Sequence, residues 1–518
     1  MSIELSGPAL TGLNKSSTVF EDLLASAPLL AGKDSTLWGA EAEVEAAIRL
    51  NWIDLPQSSR ELLPELDALS AWARSNNLKN VILCGMGGSS LAPEVIAKCY
   101  GKSLTVLDST DPAQIAAALP SDFSETIVVV GSKSGSTIET ASQRAFFADA
   151  ITRSGLAVAD HMVIVTDPGS PLDLESRALG LRTINADPHV GGRYSALSAF
   201  GLVPAALMGV DVSVLLDDAA AAAKTFLDQN SPAVALATLL FELSDEAIAF
   251  YDAGSTLPGI SDWIEQLVAE STGKNEKGRI PIVIEGAHAP VGGRALTIAF
   301  AGGSADLIVQ GTLGEQFILW EWVTALLSRA LNIDPFNQPN VTEAKERTGA
   351  LLAEWSDGQV HSPAPIFESD NVQVFGDVAG SSLPEILNNF IAQDNYYFAL
   401  MAYLHRGNDD AIMQLRELIA TATNKPTTFG WGPRFLHSTG QFHKGGQQNG
   451  AFIQISGESV KDLAIPEQNF GFHTLLMAQV LGDGQALATR KYPLIRFHLK
   501  NREAGISELI KAAKELNS

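Results

Sequence analysis

The stretch VVVGSKSGSTIETASQ, residues 128–143, joins a run of valines to a segment with helical periodicity. Four hydroxyl side chains and one lysine crowd the loop between them: Ser132, Lys133, Ser134, Ser136 and Thr137. An apolar strand, a small polar turn and an amphipathic helix form the repeating unit of an α/β sheet. The nucleoside-triphosphate loop pattern G-x-x-x-x-G-K-[ST] does not fit these residues, so the hydroxyls are expected to serve another acceptor.

The same unit recurs along the chain. NVILCGMGGSS (80–90) predicts a buried strand that ends in a glycine turn, and a helix is predicted at 91–100. Further strands are predicted at SLTVLDSTD (103–111), HMVIVTDPGSP (161–171), LRTINADP (181–188), RIPIVIEG (279–286), ALTIAFAGG (295–303), AFIQISG (451–457) and YPLIRFHLK (492–500). Helices are predicted at 60–77, 211–227, 313–331 and 341–355.

Strands that alternate with helices indicate parallel sheets covered on both faces. At 518 residues the chain exceeds what one hydrophobic core usually serves. We therefore predict an α/β fold with two doubly wound parallel-sheet subdomains. The predicted parts are an N-terminal helical arm at 1–59, a first α/β domain at 60–230, and a second at 231–518 that ends in a helix. Residues 356–382 are expected to form an irregular insertion.

Composition restricts the function. The net charge of −24, from 59 acidic and 35 basic residues, disfavours nucleic acid and anionic membranes as partners. Only two cysteines occur, Cys84 and Cys99, which is typical of a protein in a reducing cytosol without disulfides or zinc. The first residues show no secretory signal, and glycine, proline and aspartate break the most apolar window, so we expect a cytoplasmic protein.

Two glycine- and serine-rich loops could hold a ligand, because ligands of open α/β sheets bind beyond the carboxyl ends of the strands. The first, GMGGSSLAPE (85–94), starts like a dinucleotide fingerprint, with Asp108 at the distance of a ribose-binding acid. In the second loop, Ser136 and Glu139 have capping-box spacing, which predicts a helix N-terminus there. Such a terminus surrounded by hydroxyls suits a phosphate monoester. The structural alternative is that these serines only cap a helix.

Several motifs add a resemblance to a known family. SKSGSTIET and GMGGSSLAPE resemble the sugar-isomerase (SIS) domain, and GGRYSALSAFGL (191–202) resembles the G-G-R-[FY]-S signature of the glucose-6-phosphate isomerase family. ESTGK (270–274) is similar to that family's E-S-x-G-K, and FNQPNVTEAK (336–345) is similar to F-D-Q-P-G-V-E-x-x-K. These motifs stand in family order and span about residues 80–345. The chain is most similar to the branch fused or linked to transaldolase, and two SIS subdomains are implied.

The resemblance also implies residue roles in isomerising glucose 6-phosphate and fructose 6-phosphate without a metal or cofactor. Glu270 would transfer the proton between C1 and C2, Arg193 would stabilise the enediolate, and Lys345 would assist ring opening. Phosphate and substrate contacts would come from Gly88, Ser89, Ser132, Lys133, Ser134, Thr137, Gln266 and Gln338. The chemistry independently requires a base beside the carbonyl and a cation or donor at the developing oxyanion. Each residue alone could equally be a structural or surface side chain.

Two departures from the family pattern concern the lysine motif and the histidine. Asn337, Asn340 and Thr342 replace the usual Asp, Gly and Glu. The family's catalytic histidine follows the base glutamate by two to three dozen residues, where this chain has only His288. The better likeness, FLHSTGQFHKGG (435–446), comes after the lysine motif and favours His437, although a structural histidine remains an alternative.

The resemblance implies a homodimer whose histidine is donated by the second subunit, with a hexose phosphate as the small-molecule partner. Three other functions are alternatives to isomerisation. A glucosamine-6-phosphate-forming amidotransferase would need an N-terminal nucleophilic cysteine domain. A sugar-phosphate-sensing regulator would usually carry a basic DNA-binding face. A nucleotide-linked dehydrogenase would rest on the weak glycine fingerprint alone.

Overall fold

The computed structural model describes residues 3–243, 246–355 and 360–516. Within these residues the strands are β1 (Glu4–Ser6), β2 (Asn80–Gly85), β3 (Thr105–Leu107), β4 (Thr126–Gly131), β5 (Met162–Thr166), β6 (Arg182–Asn185), β7 (Ala247–Tyr251), β8 (Ile280–Val283), β9 (Leu296–Ala299), β10 (Leu307–Gln310), β11 (Phe367–Glu368), β12 (Val372–Gly376), β13 (Tyr397–Tyr403), β14 (Thr427–Trp431), β15 (Gly450–Gly457) and β16 (Leu494–Leu499).

The helices of the same residues are α1 (Thr18–Ala31), α2 (Ala40–Arg49), α3 (Leu55–Ser58), α4 (Leu63–Ser75), α5 (Leu91–Cys99), α6 (Pro112–Ala117), α7 (Ile138–Arg153), α8 (Val158–His161), α9 (Pro171–Ala178), α10 (Ala199–Leu207), α11 (Val212–Thr225), α12 (Pro232–Glu242), α13 (Ile260–Thr272), α14 (Leu313–Leu331), α15 (Pro339–Glu354), α16 (Leu383–Ile391), α17 (Gln414–Thr423), α18 (Thr439–Gly445), α19 (Phe472–Ala488) and α20 (Arg502–Lys514). No helix in this described part combines the length and apolarity needed to cross a bilayer.

The first sheet has the order β3-β2-β4-β5-β6, and all its strands are parallel. Every residue of β4 is buried, as expected for a parallel strand with helices on both faces. Gly85 at the end of β2 lies in register with Gly131 at the end of β4. The two glycine- and serine-rich loops therefore leave the same edge of the sheet side by side.

The predicted α/β class with parallel sheets flanked by helices is confirmed, but the residues after 231 form two sheets instead of one. One sheet has the order β1-β10-β9-β7-β8, and the other has the order β11-β12-β16-β15-β13-β14. The edge strands β8 and β14 lie next to each other, so the two sheets meet there. The predicted unit 231–518 thus contains strands of two sheets that meet side by side, and β1 of the N-terminal arm belongs to one of them.

Two segments differ from their predicted form. The N-terminal arm is not purely helical, because β1 pairs antiparallel with β10. The segment 356–382 is not simply irregular, since β12 pairs antiparallel with β16 and buries Val372 and Val374. Polar neighbours hide the short apolar–polar alternation of β12 in the sequence. Residues 356–359 of the predicted insertion lie outside the described part.

Candidate active site

Close backbone packing at the end of β2 builds one wall of the candidate site. Gly87 has φ +56°, and a Cβ on it would lie 2.7 Å from the Gln266 amide nitrogen. A Cβ on Gly88 would lie 1.9 Å from the carbonyl oxygen of Gly192. Only glycine permits this approach, which brings the loop after β2 against the G-G-R turn and against α13.

A cavity lies between the loops that follow β2 and β4, and we call it the hydroxyl cavity. Its lining includes Gly88, Ser89, Ser132, Lys133, Thr137 and Thr140. The hydroxyl oxygens of Ser132 and Thr140 are buried and have no hydrogen-bond partner among the described residues. Since buried polar groups are normally hydrogen-bonded, these two donors indicate a ligand with acceptor atoms.

The start of α7 adds backbone donors to this cavity. Thr137 is the N-cap, and the first helical hydrogen bond runs from the Ala141 N–H to the Thr137 carbonyl. The amides of residues 138–140 precede that bond, so no carbonyl of the helix accepts from them. The Glu139 amide bonds its own carboxylate, which leaves the amides of residues 138 and 140 for a ligand, and a helix N-terminus favours an anion such as phosphate.

One predicted detail of this loop is wrong, and two of its side chains have other contacts. The capping box between Ser136 and Glu139 does not form, because Thr137 is the N-cap and its side chain makes no capping bond. Ser134 is exposed and hydrogen-bonds the Ser136 hydroxyl at 2.7 Å, outside the hydroxyl cavity. Lys133 lines the cavity, yet its ammonium is 2.7 Å from Asp167 and donates to the Pro188 carbonyl. These contacts hold the loop in place.

Glu270 and Arg193 form an ion pair in the interior. The Arg193 Nη1 lies 3.1 Å from Glu270 Oε1, and Nη1 also donates to Gln338 Oε1 at 3.1 Å. Gln266 donates to the other Glu270 oxygen at 3.1 Å and to the His437 carbonyl at 2.8 Å. The structure therefore brings together all five of these residues, four of them from motifs far apart in the chain.

Lys274, the lysine of the E-S-T-G-K motif, has a structural role, because it bonds the backbone of another loop. It is buried, and its ammonium donates to the Asp334 carbonyl at 2.5 Å. Burial and the neighbouring Arg193 guanidinium lower the pKa of Lys274 well below its ordinary value. The contact joins the end of α13 to the 334–338 loop, which carries Gln338.

His437 connects the two halves of the site. It lies in the turn Arg434–His437, lines the hydroxyl cavity, and its Nε2 is 3.0 Å from Glu139 Oε1. Gln479 donates to the same Glu139 oxygen at 2.7 Å. Burial alone would raise the pKa of Glu139, but the charge and hydrogen bond of His437 hold it below its ordinary value.

Lys345 faces an adjoining cavity of about 190 Å³ that Thr137, Glu139, His437 and Gln479 also line. Because Thr137 and His437 line both cavities, Lys345 lies close to the hydroxyl cavity as well. His437 and Lys345 thus line the adjoining cavity together, and Gln266 links the His437 carbonyl to the Glu270–Arg193 pair.

The structure distinguishes His437 from two other histidines that could compete with it, His288 and its sequence neighbour His443. His288 is exposed in the loop between β8 and β9. His443 is buried, its Nδ1 lies 3.1 Å from the Tyr397 hydroxyl, and burial lowers its pKa to about 3. His437 is the one of the three that lines the candidate site, and it does so within a single chain.

Sequence reasoning missed Thr140, Glu139 and Gln479 as site residues. Glu139 was interpreted only as a capping residue, although a carboxylate three residues from the hydroxyl loop was a visible signal. Thr140 lies one helical turn after Thr137 and could have been found by helical spacing. Gln479 lies on α19 without a motif, so nothing in the sequence indicated it.

The dinucleotide alternative is not supported by the position of Asp108. Asp108 is buried, and its carboxylate lies 2.9 Å from the Arg434 guanidinium. An acid that is buried in an ion pair is unavailable to the hydroxyls of a ribose.

Several known proteins are similar to this chain. A family model described as phosphoglucose isomerase matches residues 61–333. A "Probable glucose-6-phosphate isomerase" of Haloquadratum walsbyi is 33% identical over 217 residues, which cover 40% of this chain and 50% of that protein. A glucose-6-phosphate isomerase of Carboxydothermus hydrogenoformans is 29% identical over 296 residues, covering 52% of this chain and 63% of that protein.

A crystal structure of a glucose-6-phosphate isomerase from Chlamydia trachomatis is similar in fold. It has a TM-score of 0.54 and 19% sequence identity, and the similarity covers 68% of this chain and 89% of that chain. The chain spans about half to two thirds of the length of the curated relatives it matches. The family match includes Arg193 and Glu270 but ends before Gln338, Lys345 and His437.

Fold and site together define an α/β protein of the sugar-isomerase fold, with a hydroxyl-lined cavity at the carboxyl edge of its first sheet. The family match narrows this class, because it covers more than half of the chain. The chain belongs to the phosphoglucose isomerase family.

Proposed function

We propose that this chain interconverts D-glucose 6-phosphate and D-fructose 6-phosphate. One observation carries the proposal: the turn that ends in His437 joins the hydroxyl cavity to the Glu270–Arg193 pair through Gln266. A phosphate held by Ser132, Thr140 and the amides of α7 would place the sugar beside His437. The carbon chain would then extend toward Glu270.

The first step would open the pyranose ring. A proton leaves the C1 hydroxyl and a proton is added to the ring oxygen, so that C1 becomes an aldehyde. His437 can exchange such a proton because Glu139 orients its imidazole. Lys345, on the opposite side of the adjoining cavity, supplies a positive charge near the hydroxyls.

The second step would move hydrogen along the chain. Glu270 takes the proton from C2 of the open aldose, and the electrons form a cis-enediolate whose negative charge lies on oxygen. The Arg193 guanidinium stabilises that charge from the position it occupies beside Glu270. Glu270 then returns the proton to C1 while a proton passes from the C2 oxygen to the C1 oxygen, which gives the ketose without any external oxidant or reductant.

We further propose that one chain completes this site. The family resemblance implies a histidine donated by a second subunit, whereas His437 contacts Glu139 of its own chain at 3.0 Å. This contact supports a site that needs no exchanged residue. Association as a homodimer with a shared active site stays a prediction.

Glu270→Gln tests the central role. With fructose 6-phosphate in a dehydrogenase-coupled assay, we expect turnover to fall by about 10²–10⁴-fold, because a positioned base contributes that much. Substrate binding, measured by calorimetry, should be retained, since glutamine keeps the size of the side chain. Near-normal turnover would remove Glu270 from the mechanism. Tight substrate binding with no turnover in the wild type would instead indicate a non-catalytic sugar-phosphate-binding protein.

A further inference from the structure

A second cavity of about 120 Å³ lies at the carboxyl ends of β8 and β14, where two of the sheets meet. We call it the carboxylate cavity and define it by Asp262, Glu265, Glu285, Arg416, Phe429 and Trp431. In open α/β sheets, the carboxyl ends of strands are the usual place for ligands. Nothing in the proposed isomerisation uses this cavity.

The cations of the carboxylate cavity already have partners. Arg416 donates to both carboxylate oxygens of Glu285 at 2.7 and 2.5 Å, and to the Pro290 carbonyl at 2.8 Å. Arg434, at the edge of the cavity, is paired with Glu94 and Asp108 at 2.6 and 2.9 Å. An incoming phosphate or carboxylate would have to compete with these ion pairs.

The acceptors, in contrast, are available. Glu265 is only 8% exposed and lines the cavity, and its Oε1 is 3.5 Å from the Thr428 hydroxyl. Its Oε2 accepts no hydrogen bond from the described residues, and neither does Asp262, which lies three residues earlier on α13. Burial and the Asp262 charge raise the pKa of Glu265 well above its ordinary value. Both carboxyl groups would gain from a positive ligand.

Aromatic rings form the remaining wall. Phe429 and Trp431 are partly buried, and their rings meet edge to face with centroids 5.1 Å apart. These rings can pack against the carbon atoms of a ligand whose charged group meets the carboxyl groups. A hard metal ion would find too few ligands, because it prefers six or more oxygens, whereas an ammonium group needs only a few acceptors and an apolar wall.

We propose that the carboxylate cavity binds a small organic ammonium ion, with its charged nitrogen at Glu265 and Asp262 and its carbon chain against Trp431. The nitrogen would donate to the free oxygen of Glu265. The volume allows a molecule of a few non-hydrogen atoms.

The test uses three probes of equal size in isothermal titration calorimetry on the full chain: propylammonium chloride, 1-propanol and sodium propionate. Saturable binding is expected for propylammonium, with the alcohol and the anion at least about tenfold weaker. Glu265→Gln should weaken propylammonium binding by about tenfold or more, because glutamine cannot lose a proton to become the negatively charged partner of the ammonium group. Trp431→Leu should weaken it several-fold.

Glu65→Gln on α4 is the matched control, since Glu65 is exposed and does not line this cavity; its binding should equal that of the wild type. Asp262→Asn is the second cavity variant, in case Glu265→Gln does not fold. Equal affinity for 1-propanol, unchanged affinity in both carboxyl variants, or no binding by the wild type would each overturn the proposal.

Discussion

The hydroxyl cavity and the carboxylate cavity occupy equivalent places at the carboxyl ends of parallel strands, yet they offer opposite groups. The first presents unpaired hydroxyl donors, Ser132 and Thr140, and the amides that begin α7. The second presents unpaired acceptors on Glu265 and Asp262, while its guanidinium groups are already paired. The fold fixes where a ligand binds, and the unpaired atoms decide its charge.

The two cavities also share structural elements. His437 lines the hydroxyl cavity, and the next residue, Ser438, lines the carboxylate cavity. Likewise Gln266 of α13 contacts the Glu270 carboxylate, whereas Glu265 faces the other side. Adjacent residues thus face different cavities. A substitution in one cavity should therefore leave binding and turnover at the other cavity unchanged.

The largest effect in this comparison is expected at His437. His437→Ala should lower kcat by about 100-fold or more, because a positioned acid–base group contributes 10²–10⁴-fold. The coupled assay with fructose 6-phosphate measures it. His288→Ala is the control and should keep normal turnover, since His288 is exposed and lines neither cavity. The opposite pattern would show that His288 is the acting histidine.

A smaller effect is expected from the unpaired hydroxyls. Ser132→Ala and Thr140→Val should each raise KM by about tenfold or more, because each removes a hydrogen bond to a charged phosphate. Ser134→Ala should change KM less than twofold, since that hydroxyl pairs with Ser136 outside the cavity. If Ser134→Ala were the most damaging of the three, the loop would bind phosphate in another conformation.

Much of the fold was predictable from local patterns. Strands that end in a glycine turn, such as β2 and β4, are visible as apolar runs, and α14 has the predicted bounds of 313–331. The strand β13 was missed. Its seven buried residues, YFALMAY, form a continuous apolar run that periodicity does not distinguish from a helix.

The site was predictable only where a motif stays together in sequence. Glu270 and Gln266 share one helix, so spacing alone indicated their proximity. The contact between His437 and Glu139 joins residues 298 positions apart, and tertiary packing alone determines it. The carboxylate cavity collects side chains from five separate segments, so no local pattern marks it.

The protonation state of Glu265 in the carboxylate cavity can be tested through the pH dependence of folding stability. The folded carboxyl keeps its proton above the ordinary pKa of 4.5, so the folded state binds more protons than the unfolded chain. Wild-type stability should therefore fall relative to Glu265→Gln as pH rises from about 4.5 through the raised pKa. The charged groups around Glu265 are Asp262, Arg434, Glu94, Lys98, Glu285 and Arg416.

Unfolding midpoints of the two proteins, measured from pH 4.5 to 7.5, check this difference. Glu65→Gln serves again as the control, because an exposed carboxylate should give no pH-dependent gap. A constant difference between wild type and Glu265→Gln over that range would mean that Glu265 is ionised in the folded protein.

The smallest effect comes from ligand-induced stabilisation, and it tests both cavities together. At ten times its Kd, a ligand should stabilise the folded chain by about 1.4 kcal/mol. Inorganic phosphate should raise the unfolding midpoint of wild type and Glu265→Gln, but not of a Ser132→Ala, Thr140→Val double variant. Propylammonium should raise the unfolding midpoint of that double variant but not the midpoint of Glu265→Gln. If either ligand lost its effect in both proteins, the cavities would be one coupled site, because independent sites respond only to their own substitutions.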